Sequence, residues 1–180
     1  MAYTTPPSAG SRLRASVLAA IAEELQDITA RTTGDQNLTA SSTTLQNVTE
    51  LVVTPDIGQF YRITLNVLAT LSSGTTEDIK FAVTFPAGAT CVLVGIAGGT
   101  AGGVTAQVST DMNIAGGALT SGTAFQAFGL STSTVSITIM FTLFMSSTAG
   151  NFQVQAAQNT SGVNVVTVKT GSVLSARQAL

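Results

Sequence analysis

The stretch "VSITIMFTLFM", residues 135–145, is the clearest pointer to the fold class because its apolar side chains recur at every second position. The alternating apolar set is Val135, Ile137, Ile139, Phe141, Leu143 and Met145. Hydroxyl side chains at Ser136, Thr138 and Thr142 lie between them, a pattern typical of a half-buried β-strand. The run is also too short for a membrane-spanning helix, which needs about 20 apolar residues. We therefore predict a strand here and no transmembrane segment.

The same period of two recurs from about residue 43 to the end of the chain, with turn signals rich in Gly, Pro and Asp between the segments. About ten short strands at this spacing are typical of a β-sandwich or jelly roll. The predicted strands are Thr43–Val53, Gln59–Ala69, Ile79–Phe85, Thr90–Ile96, Val104–Ser109, Ala124–Leu130, Thr134–Met145, Asn151–Gln158, Val163–Lys169 and Ser172–Arg177.

Charge is scarce in this chain of 180 residues. Charged side chains make up 9% of it, against about 25% in typical soluble domains, and Asp111 is the only acid or base between Phe81 and Val168. The apolar content of 44% argues against disorder, and a net charge of −2 offers no basic footprint for nucleic acid. Such a domain can bury large areas against copies of itself without desolvating ions. A monomer with a neutral polar surface fits the same composition.

The N-terminal region has a different pattern. We predict an arm and helix over residues 1–33, a linker over 34–42 and the β-sandwich over 43–180. Pro6 and Pro7 stiffen the arm, and the short apolar run after Arg14 only faintly mimics a signal peptide. The helix is expected from about Ser11 to Ala30 because apolar residues recur at a 3-4-3 spacing.

Two interpretations of this helix stay open. It could pack on its own domain, or it could serve as a self-associating stalk or a docking helix. The candidate residues for oligomerisation or docking are Arg12, Arg14, Leu18, Ile21, Leu25 and Ile28.

Residues suited to catalysis are missing or isolated. The chain has no histidine, the commonest general base and metal ligand, and its carboxylates are scattered. Cys91 lies alone in an apolar run, as a buried small residue would. The glycine tract of residues 95–103 lacks the Lys-Ser/Thr pair of a phosphate-binding loop. We expect no catalytic residues, no metal site and no cofactor.

Three stretches together resemble a family of small β-structured virion proteins of tailed bacteriophages, especially those of actinobacteria. They read "SSTTLQNVTELVV" (41–53), "EDIKFAVTFPAGAT" (77–90) and "VQAAQNTSGVNVVTVKTGSVLSAR" (154–177). In that family a tryptophan tends to precede Ala-Gln-Asn, whereas Ala156 stands there in this chain. The resemblance covers residues 41–177 and implies a virion structural protein whose domain is similar to the trimeric jelly rolls of the tumour-necrosis-factor and C1q type. It defines no catalytic or ligand-binding residues.

Members of that family belong to the head or the tail, and our leading hypothesis is a homotrimeric head decoration protein that is made in the host cytoplasm and binds the major capsid protein on the outer surface of the head. Its partners would be itself and the capsid, with no nucleic acid and no membrane. Arg12 and Arg14 could contact acidic capsid surface, or they could be solvated charges at the start of the helix. One alternative is a fibre tip that binds cell-wall glycans, although two tyrosines and no tryptophan leave few platforms for sugar stacking. A tail or neck component that assembles in rings is another.

Overall fold

A computed structural model describes residues 27–74, 78–98 and 118–179. These residues are all-β, with two sheets packed as a sandwich and no helix among them, which confirms the predicted fold class. The strands are β1 (Asp27–Arg31), β2 (Gln36–Asn37), β3 (Gln46–Val53), β4 (Phe60–Leu71), β5 (Asp78–Thr84), β6 (Thr90–Gly98), β7 (Gln126–Gly129), β8 (Val135–Phe144), β9 (Phe152–Gln158), β10 (Val166–Val168) and β11 (Val173–Gln178).

Sheet A is built around β4. Strand β8 pairs with one side of β4, and β6 pairs with the far side of β8. Strands β10 and β11 both pair with the other side of β4. Strand β2 then pairs with β10, and β1 pairs with β11. Sheet B has the order β3-β9-β5-β7. Every pairing is antiparallel, and the two interleaved sheets have a jelly-roll-like arrangement.

The core lies between the inner faces of the two sheets and follows from the alternation in the sequence. Strands β4 and β8 are in register from Phe60–Phe144 to Ala69–Val135, so their inward residues share one buried layer. Phe141 of β8 contacts Phe152 of β9 edge-to-face, with ring centroids 5.7 Å apart. Such an arrangement suits the ring quadrupoles and links the two sheets.

Nine of the ten predicted strands overlap observed strands, β3 to β11. The tenth prediction, Val104–Ser109, lies outside the described residues. The predicted linker, residues 34–42, is also structured, since β2 lies within it and Leu38 is buried in the core.

The last part of the predicted helix is wrong, because Asp27–Arg31 forms strand β1. Ile28 and Ala30 pack against the core, while Asp27 and Arg31 are exposed, so the segment alternates with a period of two. Five residue pairs with β11 hold one side of its backbone, a long-range contact that overrides local helix propensity. Ile28 therefore lies on a strand and not on a helical seam. Arg12, Arg14, Leu18, Ile21 and Leu25 lie outside the described residues.

A buried hydroxyl network joins β10 to β11 where the long strand pairing with β4 is interrupted. Gly171 turns the chain there with a φ of 90°, which favours glycine. The Ser172 hydroxyl donates to the Lys169 carbonyl at 2.9 Å and accepts the Leu68 amide at 3.0 Å. The Thr32 hydroxyl donates to the same Lys169 carbonyl and accepts the Ser172 amide, both at 2.9 Å. Side chains thus replace the missing ladder bonds.

We predict that Ser172→Ala lowers the free energy of unfolding by about 1–3 kcal/mol, because it leaves the Leu68 amide without its acceptor. Urea unfolding followed by circular dichroism measures the change. Ser175→Ala is the matched control on the same strand, since the Ser175 hydroxyl has no hydrogen-bond partner among the described residues, and it should shift stability by less than about 0.5 kcal/mol. Equal losses in the two variants would contradict this role for Ser172.

Asp35 ties the loop between β1 and β2 to the turn that follows β10. Its carboxylate accepts the Thr170 amide at 2.8 Å and the Thr170 hydroxyl at 3.0 Å, and it pairs with the Lys169 ammonium group. The Lys169 hydrogen bond, followed by those of Thr170, lowers the pKa of Asp35 from 3.8 to about 2. Hydrogen bonds to the charged form favour that form.

Because this pKa is lower in the folded state than in the unfolded state, the contribution of Asp35 is fully present above about pH 4 and is lost as the pH falls towards 2. We therefore expect the stability difference between the wild type and Asp35→Asn to be constant from pH 7 to 5 and to shrink below pH 4. Urea unfolding at a series of pH values measures it. A difference that did not change down to pH 2 would show that the carboxylate charge is not what stabilises this turn.

Candidate interaction surface

Four exposed apolar side chains cluster on the outer face of sheet A. They are Phe60 of β4, Met140 and Phe144 of β8, and Val94 of β6, with exposed fractions of 51%, 43%, 37% and 52%. We call these four residues the apolar surface. Phe60 and Phe144 form one pair, and Met140 and Val94 lie two residue pairs further along the sheet, with Arg62 and Thr142 between them. Exposed apolar residues grouped on one face commonly mark an interaction site.

Strand pairing brings the apolar surface together. Phe60 and Phe144 are directly opposite each other, and their ring centroids are 4.5 Å apart. Met140 is opposite Gly95 of β6, where a side chain would crowd it, since a Cβ atom on Gly95 would lie 2.9 Å from the Met140 methyl carbon. A β-bulge between Leu93 and Gly95 inserts Val94 as an extra residue. The cluster thus depends on a bulge and a glycine on the neighbouring strand.

Two arginines lie beside the apolar surface on the same face. Arg62 follows Phe60 by two residues on β4, and its backbone partner on β11 is Arg177. Both are exposed, and Arg177 in turn is opposite Asp27, with 3.7 Å between the Arg177 Nε and an Asp27 carboxylate oxygen. Arg62 has no ion-pair partner among the described residues. We call Arg62 and Arg177 the arginine row.

The rest of this face is neutral where β4 and β8 meet. The outward residues there are mostly Thr, Ser and Asn, and the Thr138 hydroxyl donates to the Asn66 side-chain oxygen at 2.8 Å. Burial of this area against another protein would remove few ions from water, which keeps the desolvation cost low.

The outer face of sheet B differs because its amides serve the fold. The Gln153 amide nitrogen donates to the carbonyls of Val48 and Leu51 at 2.9 and 3.1 Å, on either side of the irregularity in β3. Gln155 donates to the Asn47 side-chain oxygen at 3.0 Å. The side-chain amide N–H groups of Gln153 and Gln155 are thus engaged within the domain and are less available to a ligand. The outer face of sheet A is therefore the better candidate for an interaction surface.

The titratable groups of the described residues form no reactive cluster. Among residues 27–74, 78–98 and 118–179, no group of three or more Cys, Asp or Glu side chains could hold a metal ion. Cys91 is buried, and burial raises the pKa of its thiol to about 12, so it stays protonated near neutral pH. The same residues include no helix that is long and apolar enough to cross a membrane.

In comparisons with known proteins, no family model and no curated protein matches the chain.

Of the six docking candidates predicted from the sequence, only Ile28 falls among the described residues, and it packs against the core instead of facing outward. The residues of the apolar surface were not among those candidates. A signal for two of them existed in residues 135–145, where Met140 and Phe144 occupy positions that alternate with the buried set. Apolar residues on the outer face of a half-buried antiparallel strand depart from the usual alternation of apolar and polar side chains, and that departure is the signal for an exposed apolar surface.

Proposed function

We propose that the protein is a bacteriophage virion structural protein, a homotrimer that decorates the outer surface of the head and stabilises it. The apolar surface is the observation that carries this proposal, because it offers a jelly-roll-like domain a place to bind another protein. The resemblance of residues 41–177 to actinobacteriophage virion proteins supports the assignment to the particle.

The composition of this surface supports protein binding. Aromatic residues, Met and Arg are enriched at the centres of protein interfaces, whereas Lys, Glu and Asp are depleted there. The apolar surface and the arginine row contain two Phe, one Met and two Arg on one face. Each Å² of apolar area removed from water contributes about 25 cal/mol before the cost of association. Self-association through this face therefore has a physical driving force.

Such a trimer would stabilise the head by holding neighbouring capsid subunits together. A trimer bound where capsid subunits meet would bridge them and oppose the outward pressure of packaged DNA. Many copies on one head would add their weak contacts through multivalency. The major capsid protein is the partner, and the chain needs no cofactor for this role.

We predict that Met140→Asp with Phe144→Asp converts the trimer to monomers, because burying two carboxylates in the interface costs several kcal/mol. Light scattering coupled to size-exclusion chromatography measures the mass, and an association weaker by about 100-fold or more is expected, since each 1.4 kcal/mol is about tenfold in affinity. Val163→Asp is the control, since Val163 is 82% exposed and lies in the loop before β10, at the other end of β4. A wild-type monomer, or a trimer that survives the double substitution, would contradict self-association through this face.

Immunogold labelling of intact particles with an antibody to residues 41–180 tests the location. Gold spread evenly over the heads is the expected result, and particles lacking the protein should then break at a lower temperature. Gold confined to the tail tip or to projecting fibres would overturn the decoration role in favour of host recognition. Gold in a ring at the neck or tail would instead favour an assembly component.

A further inference from the structure

We propose that the apolar surface and arginine row of one subunit bind residues 13–25 of a second copy of this chain. The proposal rests on the self-association proposed above and names the segment that completes the interface. In the trimer each subunit would give its N-terminal segment to one neighbour and receive a segment from the other.

The position of β1 places the end of the described chain next to this surface. Asp27 is opposite Arg177, which is opposite Arg62, so the first residue of β1 lies level with the arginine row. Strands β1 and β4 are parallel to each other, because each is antiparallel to β11. The chain therefore enters sheet A at the end of the face where Phe60 and Phe144 lie. Twenty-six further residues precede that point.

The sequence of residues 13–25 complements the surface in both polarity and charge. Leu18, Ile21 and Leu25 recur at the spacing of one helical face, which would supply the apolar contact. Glu24 is three residues from Ile21, and on a helix it would flank that face as an acidic partner for the arginines. Arg62 has no ion-pair partner among the described residues, so a carboxylate from this segment would neutralise it.

A second copy suits the geometry better than the same chain. Residues 17–26 contain no Gly, Pro, Asn or Ser, the residues that most readily reverse the chain direction. Only Gln26 lies between Leu25 and Asp27, and two extended residue steps span at most about 7 Å. Three strand spacings, about 14 Å, separate β1 from β8, so the Leu25 backbone cannot reach Phe144 of its own chain. Exchange of identical segments between subunits is a common route to symmetric oligomers.

Disulfide trapping between differently tagged full-length chains tests the proposal. One chain carries Leu25→Cys and the other carries Met140→Cys, and the buried native Cys91 is left in place because its protonated thiol reacts slowly. After co-expression and mild oxidation we expect a covalent dimer that carries both tags. Replacing Met140→Cys with Val163→Cys, an exposed position in the loop before β10, should abolish that dimer.

The oligomer mass is measured on the same samples, which separates the two proposals. An oligomer without the mixed-tag dimer overturns the segment exchange but leaves self-association intact. A chain carrying both cysteines that closes only an intramolecular disulfide also overturns the exchange. A monomeric protein overturns both.

Charge reversal gives a second readout that does not depend on the cysteines. Glu24→Arg should weaken the oligomer about tenfold, because it places a third positive charge beside the arginine row. Adding Arg62→Glu should restore most of the loss, as expected for two groups in contact. Additive losses from the two substitutions would show that Glu24 and Arg62 do not meet.

Discussion

Strand β4 organises sheet A because it is hydrogen-bonded along both sides over almost its whole length. On one side ten residues pair with β8 in unbroken register, and on the other side β10 and β11 pair in succession. A shift of one residue would exchange the buried Tyr61, Ile63 and Leu65 for the outward Phe60, Arg62 and Thr64. The register of β4 therefore determines both the core and the position of the apolar surface. The turn before β4 is held as well, since the buried Tyr61 hydroxyl accepts a hydrogen bond from the Asp56 amide at 2.9 Å.

Neutral polar side chains support the backbone wherever the regular pairing breaks. Ser172 and Thr32 bond the backbone at the turn between β10 and β11, and Gln153 does so at the irregularity in β3. Buried Gln158 binds the loop before β10 through the Asn164 carbonyl and the Gly162 amide. A hydroxyl or amide performs this role with less desolvation than a charged group requires. The scarcity of charge is thus compatible with a sandwich in which no buried side-chain N or O atom of the described residues lacks a hydrogen-bond partner.

The sequence predicts the sandwich well because the strands alternate strictly, as in β4 and β8. It fails at β1, since the pairing of Asp27–Arg31 with β11 joins residues more than 140 positions apart. No local pattern encodes such a contact, and Ile28 suits a helical period as well as an extended one. The candidate surface was missed for a related reason. Whether Phe60 and Met140 are buried depends on register and on the bulge at Val94, which periodicity alone does not reveal.

The distribution of charge also bears on how the subunits would meet. Asp27, Arg31 and Asp35 lie on or beside the outer edge of sheet A, where β1 and β2 have no further strand beside them among the described residues. Charged side chains and short strands at such an edge oppose pairing with another sheet. Edge-to-edge growth is therefore disfavoured at β1 and β2, whereas Phe60, Phe144 and Met140 are exposed on the face of the sheet. A contact between this face and a segment of another subunit gives a closed ring where the rotation between subunits closes, and an open filament where it does not.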